Sequence, residues 1–329
     1  MTKIAEELGV SRSLVSYAIK GKYGVSEEMK RKIVLKAIEM GYFKTAHASL
    51  KFSKNIAIVI DEIHLSSDSF FHRIVKGVEY ATIEKKFVPR IINYESDEGV
   101  ERFVSKIIDL NPRGIIVIRQ FEREFLKRFE KLNYPLVFID LVSPNSEYFE
   151  VRANNFSNMN SLTTYLIDKG FNDLTFVGDV NWATSFKERF NGFETACSER
   201  GVKHTDIISS SASKDFAFDK NAFLDYVNNN ENGAFVCAND SIAVEVFDIL
   251  KQLGKRIPQD FSVVGFDDID KAISLSPPLT TMHIPKFEMG RVAFGLLYDQ
   301  FGGNQEKGRV VCLNAKLVER ASVLTNNKV

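Results

Sequence analysis

Six short apolar runs constrain this chain more than anything else in it: IAIVID (56–61), GIIVIR (114–119), PLVFID (135–140), LTFVGD (174–179), AFVCAND (234–240) and SVVGFDD (262–268). Each is a few residues long and lacks polar alternation, the pattern of a strand covered on both faces. Helical patterns lie between most of them, among them FHRIVKGVEYATIEKK (71–86) and SIAVEVFDILKQLG (241–254). Such strands alternating with helices predict parallel α/β sheets. Most of the runs close on an acid or amide: Asp61, Asp140, Asp179, Asn239 with Asp240, and Asp267 with Asp268. In open α/β sheets ligands bind beyond the carboxyl ends of strands, so this polar set stands where a small molecule would sit. The competing reading is local: Asp and Asn at these places cap the helices that follow.

The first 54 residues follow a different rhythm. Ile4, Ala5 and Leu8 share one side of a short helix that Gly9 stops. A second helix runs from Ser11, a natural N-cap, toward Gly21, with Val15, Ala18 and Ile19 as its buried stripe. Arg12, Ser13, Ser16, Tyr17 and Lys20 then point outward, a face with donors and a phenol but no carboxylate. Only Gly9, Val10 and Ser11 separate the two helices, the length of a helix-turn-helix connection. A third helix starts at the N-cap Ser26 and continues through Ile33, Val34, Ala37 and Ile38 to Gly41. Residues 1–54 hold 11 Lys and Arg against 5 Asp and Glu, while the rest hold 32 against 38. A basic module on an acidic body is a nucleic-acid pattern; a solvated helical face is the plainer alternative.

Other classes lose ground. A chain of 329 residues is long enough for two or three domains. Its three scattered cysteines, Cys197, Cys237 and Cys312, show neither a disulfide framework nor metal spacing. No export signal and no membrane-length apolar run is visible, so the expected place is the cytoplasm. Neither phosphate-binding glycine signature, nor an HExxH pair, nor a Gly-x-Ser-x-Gly elbow occurs. These absences argue against the common motif-bearing enzymes and leave open a sugar-modifying enzyme whose site is assembled from distant residues; the expectation is no enzyme, no cofactor and no metal.

The segments IAEELGVSRSLVSYAIKG (4–21), VSEEMKRKIVLKAIEMGY (25–42), FVCANDSIAVEVFDILKQLGKRIPQDFSVVGFDD (235–268) and PPLTTMHIPKFEMG (277–290) together resemble bacterial transcription regulators of the lactose-repressor (LacI/GalR) family. They fall at both ends of the chain and in the family's order. The resemblance implies an all-α helix-turn-helix headpiece over residues 1–43, a linker over 44–54, and an α/β two-lobed sensor like a periplasmic binding protein over 55–329. Lobe one would take 55–153 and 284–313, and lobe two 154–283 and 314–329.

What the resemblance implies about function is equally specific. A homodimer would bind near-palindromic operator DNA, with the second helix of each headpiece in the major groove. Arg12, Ser13 and Tyr17 would read base edges and Ser16 would touch phosphate, beside the outward Lys20. Tyr17 stands where arginine is common in the family, so the operator should depart from the usual one. Leu50 is the candidate minor-groove wedge, or else an ordinary linker leucine. Effector contacts map onto Phe70, Phe71, Lys187, Arg189, Asn239 and Asp267. These suit a sugar or sugar derivative, with carboxylate and amide on paired hydroxyls and an aromatic face on the ring. Phe70 fits plain core as well, and Arg189 fits a brace for Asp267 as well as a ligand contact. A purine or another small polar metabolite, acting as co-repressor or co-activator, is the alternative effector. A periplasmic-type sugar-binding protein with no DNA role is the alternative class, and the helix-turn-helix opposes it.

Overall fold

The computed structural model describes residues 1–19, 23–42, 53–60, 69–94, 99–118, 132, 134–140, 148–181, 183–207, 218–302 and 308–324. Lys20 and Leu50, with most of the linker and the strand-end Asp61, lie outside the described residues. The chain forms two compact units. The first takes Met1–Arg152 and Lys286–Val311, the second Ala153–Pro285 and Cys312–Val329, so the backbone passes from one to the other three times.

The first unit begins with three helices, α1 (Thr2–Leu8), α2 (Arg12–Ile19) and α3 (Glu27–Glu39). Their shared core is small: Ile4, Ala5, Val15, Ala18, Ile33, Val34 and Ala37 are buried. An ion pair from Lys36 on α3 to Glu7 on α1 (2.6 Å) closes the bundle. A six-stranded sheet follows, built from β1 (Asn55–Ile60), β2 (Val88–Asn93), β3 (Gly114–Ile118), β4 (Leu136–Ile139), β5 (Phe149–Ala153) and β11 (Val310–Leu313) in the order β11-β5-β4-β3-β1-β2. From β2 to β5 every pairing is parallel, and Ile58 of β1 stands between Ile91 of β2 and Ile116 of β3. The central strands β1, β3 and β4 are buried almost throughout, which is why their sequences carry no alternation.

Helices α4 (Ser69–Glu84), α5 (Gly99–Leu110) and α11 (Lys286–Asp299) cover this sheet. α4 and α11 cross at backbone contact. A Cβ on Gly77 would lie 2.0 Å from the Phe287 carbonyl oxygen, and one on Gly290 2.1 Å from that of Ile74. No side chain fits there.

The second unit repeats the plan with β6 (Asp173–Val177), β7 (Lys203–Ile207), β8 (Gly233–Cys237), β9 (Phe261–Asp267), β10 (Thr280–His283) and β12 (Lys316–Val318) in the order β12-β10-β9-β8-β6-β7. Only β12 runs antiparallel, against β10. Its helices are α6 (Asn155–Asp168), α7 (Thr184–Arg200), α8 (Lys220–Asn229), α9 (Asp240–Gln252) and the short α10 (Asp270–Ser274). Buried phenylalanines knit its core, with Phe235 at 4.8 Å from Phe223 and stacked at 5.1 Å on Phe261. Such pairs add stabilisation of about 0.5–1.5 kcal/mol beyond area burial. The mostly parallel sheets expected from the apolar runs are present in both units.

Candidate functional site

The headpiece is built for exposure of one face. Gly9 takes φ 64° at the end of α1, a left-handed stop that leaves its N–H on the Glu6 carbonyl while the Val10 N–H reaches Ala5. The next residue, Ser11, caps α2 by accepting the Leu14 N–H at 3.1 Å. Losing a cap of this kind costs about 1 kcal/mol. Val15 and Ala18 turn inward, so Arg12, Ser13 and Tyr17 are exposed and Ser16 is half-buried at the edge of the bundle. Tyr17 keeps 45% of its surface in solvent. α3 is capped by Ser26, which accepts the Met29 N–H, and its Lys30 pairs with Asp109 on α5.

The second polar constellation lies at the carboxyl ends of β6, β8 and β9, all in the second unit. Arg189 on α7 is its hub, 3% exposed. Its guanidinium donates to Asn155 Oδ1 (3.0 Å), the Ala238 carbonyl (2.8 Å) and Asp267 Oδ1 (3.2 Å). The same group lies 3.9 Å from the ring centre of Phe266, a cation–π contact. Asn155 in turn donates to Glu188. Of the two roles that fit Arg189 by sequence, this geometry is that of the brace.

Asp267 ends β9 at φ 115° and Asp268 follows at φ 53°, two consecutive non-glycine residues in the left-handed half of backbone space. Positions of this kind cost roughly 1–3 kcal/mol each and cluster at functional sites. Asp140, at the end of β4 in the first unit, shows the same sign with φ 57°. Asp268 accepts from Arg320 (2.7 Å) and from His283 (2.8 Å). Burial works against its charge, but those two partners outweigh it and hold the carboxyl below its usual range. Asp179, after β6, accepts the Asn181 N–H at 2.8 Å and stays buried.

The other expected contacts divide. Asn239 is half-buried and caps α9, accepting the Ile242 N–H at 2.9 Å, so the capping reading holds for it. Lys187 is exposed and takes no part in the Arg189 network, since two residues along a helix is more than half a turn. In the first unit Phe70 is buried against Phe71 with ring centres 5.1 Å apart, while Phe71 stays half-buried. Burial gives Phe70 a core role, and Phe71 carries the exposed aromatic edge.

One strand-end acid of the sequence, given no role of its own there, belongs to this group. Asp240, wholly buried, accepts from Thr281 Oγ1 (2.6 Å) and from the Ile269 N–H (2.9 Å). Burial, and after it the charge of Asp267, pushes its carboxyl up to about 7. The sequence held a signal: with Ala243, Val244 and Phe247, Asp240 occupies the i, i+3, i+4, i+7 stripe that α9 buries. A carboxylate on a core stripe asks for partners. Among the described residues, no cluster of His, Cys, Asp and Glu could hold a metal ion, and no helix is long and apolar enough to cross a membrane.

Against known proteins, residues 163–323 match the periplasmic binding protein-like domain. The ribose operon repressor of Escherichia coli is 28% identical over 98% of this chain and 99% of its own length. The HTH-type transcriptional repressor PurR of Vibrio vulnificus is 29% identical over 97% of both. Among solved structures, the transcriptional regulator CelR–cellobiose complex superposes with a TM-score of 0.73 at 23% identity, over 97% of this chain and 98% of that one. The likeness therefore runs from the first helix to the last strand.

Proposed function

We propose that this chain is a bacterial transcription regulator of the LacI/GalR family, that α2 reads its operator, and that the polar group at the strand ends of the second unit holds an uncharged sugar. The protein is a DNA-binding regulator and not an enzyme, and a small-molecule effector controls its hold on the operator. Its place of action is the cytoplasm, where operator DNA lies.

Asp267 carries the sugar reading. It is a strained, buried carboxylate braced by a guanidinium that is itself spent on three partners. A site that offers carboxylate and amide acceptors suits the hydroxyls of a sugar and repels an anion. The ribose operon repressor and the cellobiose complex among the similar proteins point the same way. Asn239 and Asp267 take hydroxyls in this reading and Arg189 orients Asp267; Phe70, Phe71 and Lys187 keep only the support of the resemblance. A thermal-shift screen with D-ribose, cellobiose and adenine tests it. Stabilisation by either sugar supports it, and stabilisation by adenine alone replaces it with the purine alternative.

At the headpiece, Arg12, Ser13 and Tyr17 meet base edges and Ser16 a phosphate, with Lys20 and Leu50 assigned by resemblance alone. Association of two copies falls to the outer face of the first unit. Ile83 and Tyr80 on α4, Ile91 on β2 and Phe287 on α11 are 62%, 55%, 45% and 43% exposed, and the rings of Tyr80 and Phe287 are 5.7 Å apart. Apolar exposure of this kind marks an interaction surface. A gel shift on a palindromic site and on its isolated half, over a range of salt, tests both claims. Tight binding should need both halves and weaken steeply with salt as phosphate contacts release counterions.

A further inference from the structure

Asp240 joins three segments of the second unit through one side chain. It is the first residue of α9, directly after Asn239; one carboxylate oxygen takes the hydroxyl of Thr281 in β10, and the other takes the backbone N–H of Ile269. Between the strand β9 and that N–H stand Asp267 and Asp268, both at positive φ. Consecutive strained residues keep their conformation only where both flanks are held. On the upstream side β9 is held by its ladders to β8 and β10, where Asp267 stands opposite His283. On the downstream side the hydrogen bond from Ile269 to Asp240 holds the backbone, beside the ties of the Asp268 side chain to Arg320 and His283.

The packing says the same. A Cβ at Gly265, two residues before Asp267, would lie 2.1 Å from Asp240 Oδ1. The strand and the carboxylate therefore press against each other just below the site. Chemistry limits what can stand at 240, because two donors meet it from different segments and a carboxylate has an acceptor for each. An amide keeps one acceptor and lets the Thr281 hydroxyl turn to accept from its NH2; a methyl keeps neither.

We infer that Asp240 is the positioning residue of the effector site, holding the Asp267–Ile269 turn so that the Asp267 carboxylate is presented in one orientation. The inference rests on the reading of Asp267 as an effector contact. Asp240 keeps heavily charged company: Asp267 with Arg189 from α7, Asp268 with His283 and Arg320, and the Cys237 thiol of β8, which burial and Asp240 itself push well upward. A third carboxylate in such a place would be removed were it idle.

The test has two arms, one free of any ligand. Hydrogen exchange followed by mass spectrometry on the peptide spanning 266–270 should show faster exchange at the turn in Asp240→Ala, with β8 and β9 still protected, and recovery of most protection in Asp240→Asn. In the second arm D-ribose, cellobiose and adenine are titrated by calorimetry. Whichever probe the wild type binds should bind Asp240→Ala roughly tenfold or more weakly, the size of one misplaced hydrogen bond, and Asp240→Asn should recover most of that loss. Unchanged exchange at 266–270, or probe affinity in Asp240→Ala equal to wild type, overturns the inference. A wild type that binds none of the three probes overturns the effector reading, and the exchange arm then decides the positioning role by itself. Should Asp240→Ala not fold, Thr281→Val removes one of the two ties and is expected to move both readouts in the same direction.

Discussion

The two units share a sheet plan and differ in where their exposed apolar and buried charged side chains gather. In the first, large apolar side chains stand in solvent on α4, β2 and α11, Ile83 and Tyr80 above all. In the second, more charge is taken inside: Asp179, Arg189, Asp240 and Asp267 are all buried near the ends of strands, against Glu150 and Lys286 in the first. Exposed apolar surface gains by meeting another surface, whereas buried charge persists only with partners arranged around it. On the proposed reading one fold serves association in one unit and discrimination in the other, and the headpiece belongs to the first.

The sharpest way to break that contrast is to put charge on the apolar face. Ile83→Asp combined with Ile91→Asp should turn the dimer into monomers in sedimentation. Operator affinity should then drop by about a hundredfold or more, because the second headpiece no longer binds as a tethered partner. A double variant that sediments as a dimer would move the association surface elsewhere.

The next effect belongs to the second unit. Asp267→Ala leaves effector hydroxyls unpaired in a desolvated site, at a cost of roughly 1–3 kcal/mol or more. The ratio of operator affinities with and without effector should therefore collapse to about one, where allosteric coupling is typically about 1–3 kcal/mol. An unchanged ratio at the same effector concentration would place the ligand away from Asp267.

Changes on the exposed face of α2 should leave association and effector binding as they are. Tyr17→Ala should weaken operator binding by about 1–3 kcal/mol and relax preference at one or two base pairs. Selection of binding sites from a random pool reads this directly, with Ser16→Ala as the control that weakens every sequence alike.

The smallest effect is one of pH. Asp240 titrates near 7 when folded against an ordinary value of 3.8, so the native state binds the extra proton between those values. Stability from this group is fullest below the ordinary value, declines as the pH rises from about 4 to about 7, and is level above. Asp240→Asn removes the slope. Its thermal midpoint relative to wild type should therefore climb between pH 5 and pH 8, by a few degrees in a scan of the whole chain.

How far the sequence speaks for the fold depends on burial. β1, β3, β4, β6, β8 and β9 are covered on both faces, so their residues form unbroken apolar runs and fall within a residue or two of the runs quoted. β2 (VPRIIN) and β7 (KHTDI) are sheet edges with half their side chains in solvent, and composition gives them no run to recognise. β10, β11 and β12, of three or four residues each, are too short for any period to show. The same logic divides the site. Asp267 and Asn239 are conspicuous at strand ends, and Arg189 through the resemblance. Asp240 hides behind Asn239 because its partners, Thr281 and the N–H of Ile269, lie 41 and 29 residues away and say nothing locally.

The contact between Gly265 and Asp240 binds two positions into one heritable unit. A Cβ at 265 has room only if the carboxylate at 240 has gone, since 2.1 Å is far inside van der Waals distance. Gly265→Ala should thus be severe in the wild type and milder in an Asp240→Gly background, where the Leu279 methyl at 2.8 Å must still give way, a non-additivity confined to neighbours that share space. A lineage that keeps its aspartate is barred from every side chain at the glycine, and one that fills the glycine must first give up the aspartate. The order of substitution is written into the packing.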